Sequence, residues 1–593
     1  MADYRAPIDE VSFVINDLLN ISQLNSIPEF AEATPELVEA VVEEAGKFAA
    51  DVFAPLNRPG DIAHSHAKDG AVKTPAGFKE AYKLFSENGW LSLAQPPQYG
   101  GQGLPFTVHM VASEFWCASN MALSICPMLS AGAIDALLAH ASDELKDRYL
   151  PKLISSEWTG TMNLTESHAG SDLSNLKTKA RPDGAHYRIK GQKIFITWGE
   201  HDMADNIVHI VLAPLEDAPA GVKGLSLFAV PKFLVNEDGS LGERNDLRVV
   251  STEHKLGINA SPTCVMSFGE DEGAIGHMIG KPGQGLACMF TLMNHARLEV
   301  GLEGVGLSER AYQDALAYAR ERVQGRDPVT GESTTIIGHP DVQRMLMQMK
   351  SLTGAMRCLC TDNALSHDLR KHSQDQDEQK FHQNRFALLT PITKAWCTEL
   401  VNEVTSLGVQ IHGGMGFIEE TGVAQHYRDA RITAIYEGTN GIQANDLVGR
   451  KLVRNQGHGM RAMLAEFDQT LATLPVGEHE LMRQRFTSAK DDLSESAEFI
   501  LQHADDSPKL MGAVAFNFLM QMGYVLGAWY HLRSAGVASE KLAAGEGNQA
   551  FYENKVTAAE FYITQLLPRA AAHQQAVIHG AEIGSRLGAD SFY

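Results

Sequence analysis

One carboxylate stands out as a candidate for chemistry. In Ala434-Ile435-Tyr436-Glu437-Gly438-Thr439-Asn440, Glu437 follows an apolar approach and is followed at once by glycine. Burial without a cation raises a glutamate's pKa, which suits a base working near neutral pH. The same residues also suit a helix N-terminus, with Thr439 or Asn440 as cap and Glu437 near the first turn. A second segment is Met162-Asn163-Leu164-Thr165-Glu166-Ser167-His168-Ala169-Gly170-Ser171-Asp172. Its small residues let backbone N–H groups approach a ligand, and the hydroxyls of Thr165, Ser167 and Ser171 can donate to phosphate or ring oxygens. Taken alone, a plain strand and turn is the commoner explanation. A third, Lys193-Ile194-Phe195-Ile196-Thr197-Trp198-Gly199, places two flat side chains near a glycine, either to stack on a planar cofactor or to fill a core. A fourth, Gln410-Ile411-His412-Gly413-Gly414-Met415-Gly416, ends a predicted helix on three glycines. It reads as a helix C-cap or as a place where another molecule's backbone or phosphates come close.

Four stretches of different texture must position these segments. Residues 1–157 read as helical; Pro35-Glu36-Leu37-Val38 and its continuation space apolar residues at three and four, with Thr34 as cap. Gly89 to Pro105 is too rich in Gly and Pro for a helix and is expected to be a shaped loop. Residues 158–280 alternate β-branched runs with turn residues, as in a small β-barrel or sandwich. Helical periodicity returns over 281–455, with long helices expected at 286–324, 340–370 and 387–412 and a solvated loop or frayed helix end over 372–380. After a linker-like Asn455-Gln456-Gly457-His458-Gly459, residues 460–593 form a further helical unit. The fold class is therefore α+β.

Composition narrows the function classes. The chain has 593 residues, 44% hydrophobic and 21% charged, long enough for several cores without disulfides or structural metal. Its 50 basic and 73 acidic residues leave a net charge of −23, which repels phosphate backbones, so nucleic acid is not an expected partner. The seven scattered cysteines fit a reducing cytoplasm. The N-terminus lacks a signal-peptide pattern, and no run approaches the ~18 apolar residues of a membrane span. No metal ligands are assigned.

Taken together, the order and distances of these segments resemble the acyl-CoA dehydrogenase family over about residues 35–450. The matches are Gly89-Trp90 with Tyr99 to Pro105, Leu164 to Asp172, Lys193 to Thr197, Gln410 to Gly416, and Ile435 to Thr439. The resemblance implies a helical domain, a β domain and a helical bundle, followed here by an additional helical domain. It implies FAD as cofactor and Glu437 as the base that removes the α-proton of an acyl-CoA thioester, with the β-hydride passing to the flavin. Met162, Leu164 and Thr165 are implied as flavin-ring contacts, Gly170 and Ser171 as contacts near its pyrophosphate, and Phe195 and Thr197 as residues beside the ring. Arg322, Gln410, Gly413 and Gly414 are implied to meet the adenine-side half of FAD from a neighbouring subunit, and Thr439 is a further FAD contact. Arg297 is implied at the CoA or its pocket wall. Gly438 is implied to leave the Glu437 N–H free to stabilise the developing enolate.

Two departures appear. No aromatic follows Arg322 before Gly325, and Ser167-His168 stand where Pro-Gly commonly follows the flavin-motif glutamate. The extra C-terminal unit resembles the branch that oxidises 3-methylmercaptopropionyl-CoA to 3-methylthioacryloyl-CoA in dimethylsulfoniopropionate breakdown. An electron-transferring flavoprotein is the expected acceptor. A homodimer is expected rather than a tetramer, since the extension can cover the face that a second dimer would bury. The rival readings are a dehydrogenase for another short or medium acyl chain, an oxygen-using oxidase, and a DNA-binding alkylation-response flavoprotein.

Overall fold

The computed structural model describes residues 3–327, 329–474, 479–506 and 509–592. The four expected regions group into two compact units, residues 44–299 and residues 1–43 with 300–593.

In the unit of residues 44–299, an aromatic cluster closes the helical part. Phe48, Phe53, Phe85, Trp90 and Trp116 meet with ring centroids 5.2–6.2 Å apart. The loop from Gly89 to Pro105 is shaped as expected. Gln102 N donates to Ser92 O, Gly103 N to Gln95 O and Leu104 N to Leu93 O. Gly101 is obligatory there, because an added Cβ would stand 1.9 Å from Gln95 O. The apolar run after Pro105 becomes Phe106–His140, interrupted at Asn120, whose φ of −160° and ψ of 85° divide it into two helices. A short hairpin, His66–Lys68 with Ala71–Lys73, lies inside the stretch expected to be helical. Its three-residue strands are too short to show alternation.

In place of the expected barrel or sandwich stands an eight-stranded sheet with seven strands in one path. It runs from Leu247–Thr252 through Thr263–Phe268, His186–Thr197, Ala274–Ile279, Leu225–Pro231 and Asn206–Pro214 to Trp158–Asn163, with Lys179–Asp183 pairing on His186–Thr197. All pairs are antiparallel except Trp158–Asn163 with Asn206–Pro214. Val211, Phe228, Ile189, Met266 and Phe268 are among the buried side chains that fill it.

The other unit is almost wholly helical. Gly285–Glu321 enters it at residue 300, and Pro340–His372 and Gln376–His412 pack along one another. The polar stretch expected as a loop or frayed end shrinks to residues 373–375, because the Asp375 side chain accepts from Asp377 N and Glu378 N and starts the next helix early. Leu510–Ala544 is the central helix of the additional C-terminal region. It lies so close to Gln376–His412 that a Cβ on Gly523 would stand 2.2 Å from the Trp396 ring. Phe106–His140 and Leu510–Ala544 are long and apolar enough to cross a membrane, and most of each apolar window is buried within the protein.

Candidate active site

Within residues 44–299, the second and third sequence segments lie side by side. Ile194 N donates to Thr165 O at 2.9 Å, and Thr161 Oγ1 donates to Thr197 O at 2.9 Å. Glu166 and Ala169 exchange two backbone hydrogen bonds of 3.0 Å, closing a turn that holds Ser167 and His168 in solvent. Gly170 and Ser171 follow, also exposed, while Met162 is buried and Leu164 and Thr165 are half-buried.

Phe195 owes its position to a β-bulge. Opposite Val265 the strand His186–Thr197 carries one residue too many, since Cys264 pairs with Ile196 but Met266 pairs with Lys193. Phe195 has φ 59° there and is 59% exposed. Trp198, three residues on, also has positive φ (54°), but its indole is buried and donates to Ala122 O at 3.2 Å. The structure thus separates two aromatics that look equivalent in sequence: Trp198 is core, and Phe195 offers a flat apolar face beside the half-buried Thr197. Left-handed backbone at large residues is costly and tends to be kept where a site requires it.

The motif around Phe195 assigns no role to Lys193, but the fold does. Its side chain is fully buried, and Nζ donates to Leu164 O at 2.8 Å and to Glu166 Oε1 at 3.0 Å. These are the neighbours on either side of Thr165. Glu166 also accepts from Lys177 N at 2.7 Å and Thr178 N at 3.0 Å. Burial lowers the Lys193 pKa to about 8 even though Glu166 opposes the shift. Burial opposes ionisation of Glu166, but Lys193 and the hydrogen bonds outweigh it and leave that carboxyl below its ordinary value. A charged residue at an inward position of an alternating strand was the signal available in the sequence. Arg297 is buried at 4% exposure.

Glu437, in the unit of residues 1–43 and 300–593, is half-buried with φ 54°, and Gly438 follows with φ 84°. The capping reading also holds: Thr439 caps Asn440–Asp446, accepting from Ile442 N at 3.3 Å. That helix pins the loop, because Gln443 Nε2 donates to Glu437 O and Gly438 O at 3.3 and 3.2 Å. Buried Asn440 is fixed in turn by Lys394 Nζ at 2.8 Å, Thr398 Oγ1 at 3.0 Å and Glu399 Oε1 at 2.8 Å. The Tyr436 hydroxyl donates to the buried Glu303 carboxylate.

The glycine segment caps Gln376–His412, with φ 58° at Gly413. The His412 ring stacks on Tyr318 at 4.4 Å, so exposed Arg322, Gln410, Gly413 and Gly414 share one end of the bundle. Gly416 is required by packing, since a Cβ would stand 2.2 Å from Val409 O. Among the described residues nothing lies within 4 Å of a Cβ built on Gly414, and its φ is not positive.

Family patterns match in succession along the chain. Residues 35–157 match the acyl-CoA dehydrogenase N-terminal domain, 161–270 the middle domain and 283–452 the C-terminal domain. Residues 463–584 match a domain described as acetyl-CoA dehydrogenase C-terminal like. A 3-methylmercaptopropionyl-CoA dehydrogenase of Ruegeria pomeroyi is 44% identical over 97% of this chain and 98% of its own. The chain belongs to the acyl-CoA dehydrogenase family. This acyl-CoA dehydrogenase is also 34% identical to a butyryl-CoA dehydrogenase of Syntrophomonas wolfei, over 95% of each chain. Its fold matches an acyl-CoA dehydrogenase of Bacillus anthracis solved with FAD (TM-score 0.73, 22% identity, covering 99% of this chain and 93% of that one).

The family's cofactor is FAD. The residues of the 44–299 unit fit it in kind. The bulge leaves Phe195 uncovered as a flat apolar face, Thr165 and Thr197 offer hydroxyls, and the exposed Gly170-Ser171 turn offers small residues where phosphates need close backbone.

Proposed function

We propose that this acyl-CoA dehydrogenase oxidises 3-methylmercaptopropionyl-CoA to 3-methylthioacryloyl-CoA and passes the electrons to an electron-transferring flavoprotein. The observation that carries the substrate is the end-to-end 44% identity with the Ruegeria pomeroyi enzyme of that name, which includes the extra C-terminal region.

Glu437 is the base. Its carboxylate takes the α-proton of the thioester, and its left-handed backbone holds it at the tip of a loop fixed by Gln443 and Asn440. Gly438 keeps the backbone beside it open, so that the Glu437 N–H can face the thioester oxygen as charge develops there. FAD, when bound, supplies the hydride acceptor. Lys193 and Glu166 fix the backbone on either side of Thr165, whose hydroxyl would bind the flavin, and Phe195 would pack on it. Glu437→Gln retains yellow FAD and binds acyl-CoA but fails to bleach the flavin anaerobically; full bleaching would remove Glu437 from this role. In the unsubstituted enzyme the methylthio compound bleaches faster than butyryl-CoA. Preference for butyryl-CoA would move the substrate assignment to the second relative's, and peroxide release without added acceptor would make the enzyme an oxidase.

The working unit is a homodimer in the cytoplasm. Exposed Met415, Phe417, Ile418, Tyr427 and Ile435 support a self-association surface, and seven buried cysteines outside any disulfide suit a reducing compartment. Light scattering of the FAD-loaded enzyme gives two chains; four would refute this.

A further inference from the structure

Three ligand-type side chains meet at a buried point that the proposed reaction does not use. His109 Nε2 lies 3.1 Å from Glu299 Oε1, and His295 Nε2 lies 3.5 Å from the same oxygen. All three ligand atoms lie within 4.8 Å of one another. His295 and Glu299 stand four apart on Gly285–Glu321 and so share a face, while His109 comes from the start of Phe106–His140. The side chains of His295, Glu299 and His109 are 5%, 2% and 7% exposed respectively.

Several features separate this cluster from an ordinary hydrogen-bonded core. His295 Nε2 is buried and faces the Glu299 oxygen at 3.5 Å, too long and too poorly aligned for a well-formed hydrogen bond. The other nitrogen, Nδ1, donates to Asp135 Oδ2 at 2.7 Å. With a cation bound, Nδ1–H would stay donated to Asp135 and Nε2 would be the ligand atom, the arrangement in which a second carboxylate orients a metal-bound imidazole. Two ligand atoms bonded at ~2.0–2.1 Å to one tetrahedral cation stand roughly 3.3 Å apart, a separation bracketed by the 3.1 and 3.5 Å observed. Ser113 Oγ lies 3.4 Å from His109 Nε2 and 3.5 Å from Glu299 Oε1, placing a hydroxyl where a fourth donor belongs. The Phe106 ring packs on both imidazoles, 5.7 Å from His109 and 5.1 Å from His295.

We propose that His109, His295 and Glu299 bind one divalent transition-metal cation of the zinc or cobalt kind, with Asp135 orienting His295. The cation cross-links two helices inside the 44–299 unit, a structural rather than a reactive role. In sequence only the His295/Glu299 spacing hints at it, since His109 lies 190 residues from Glu299.

Full-length, FAD-loaded enzyme is stripped with chelator, desalted and titrated with Co2+, whose visible absorption reports tetrahedral nitrogen and oxygen ligands. One Co2+ binds per chain with visible bands and is displaced by Zn2+; elemental analysis after desalting gives one zinc per chain. His109→Gln and Glu299→Gln each abolish this binding, and Asp135→Asn weakens it roughly ten- to a hundredfold. His254→Ala, which breaks up the separate His64, His66 and His254 ring cluster, leaves the stoichiometry unchanged. Absence of cobalt bands and retained zinc in the unsubstituted enzyme overturns the proposal, whatever the variants do. So does binding that survives Glu299→Gln or vanishes in His254→Ala.

Discussion

Lys193→Met tests whether the segment around Thr165 is built by one buried cation. The substitution keeps the length of the side chain and removes its charge. It leaves the Glu166 side chain, 4% exposed, without the ammonium at 3.0 Å, and Leu164 O without its donor at 2.8 Å. Removing one partner from a buried ion pair costs about 3–5 kcal/mol, because the other charge stays in the interior. Glu166 keeps the Lys177 and Thr178 N–H groups, so the low end, about 3 kcal/mol, applies. If that loss falls on ordering residues 164–166, the FAD dissociation constant rises about a hundredfold, by the usual ~1.4 kcal/mol per decade. Denaturant unfolding measures the stability loss, and flavin fluorescence titration of the stripped enzyme measures the affinity. Lys193→Met with Glu166→Gln removes both charges and recovers much of the loss. The pH dependence has a definite direction. The folded pKa of Lys193, about 8, lies below its ordinary 10.5. Between these values the unfolded chain holds a proton that the folded one has released, so this residue's contribution to stability rises with pH across that window and is flat below it. The difference between unsubstituted enzyme and Lys193→Met therefore grows from about pH 8 upward. A variant that binds FAD normally and loses under about 1 kcal/mol would refute the clamp, since a buried pair cannot be broken so cheaply.

Glu10→Gln probes the N-terminal segment. Burial opposes ionisation of Glu10, but Lys555, Arg357 and Lys350 outweigh it and lower its pKa from 4.5 to about 2. The stability this gives is present above about pH 4.5 and is lost as pH falls through about 2. It amounts to about 3 kcal/mol, and acid unfolding of Glu10→Gln flattens across that window. Gly523→Ala forces a methyl against the Trp396 ring and costs about 1–3 kcal/mol, read as a lower melting temperature; unchanged melting would mean that the helix Leu510–Ala544 can shift away.

Local signals and long-range pairings are not equally legible in the sequence. The long helices are legible because period and punctuation agree within one segment: Thr34 caps Pro35–Phe48 by accepting from Leu37 N, and Gly413 ends Gln376–His412. The two readings of the glutamate segment do not compete, because Thr439 caps a helix and that helix is what holds Glu437. Phe195 and Trp198 cannot be told apart in sequence, because alternation within one strand carries no information about register. The extra residue shows only against Thr263–Phe268, and that bulge, not the residue type, decides which ring faces solvent. The motifs assign no role to Lys193, and Glu303 lies outside them. Each is a charge in a run that otherwise packs inward, and each meets a partner from a sequence-distant segment, Leu164 and Glu166 in one case and Tyr436 in the other. A buried charge has to find a partner or bear its full desolvation cost, so a charged residue at an inward position of a regular pattern predicts that a partner exists without saying where. Both partners adjoin or belong to segments already marked by residue type: Leu164 and Glu166 flank Thr165, and Tyr436 precedes Glu437. Breaks in the hydrophobic pattern and the motifs therefore converge on the same segments. The two signals are independent, since one rests on the cost of burying charge and the other on the chemistry of a ligand, and their agreement is what singles out Lys193 and Glu303 among the chain's many charged residues.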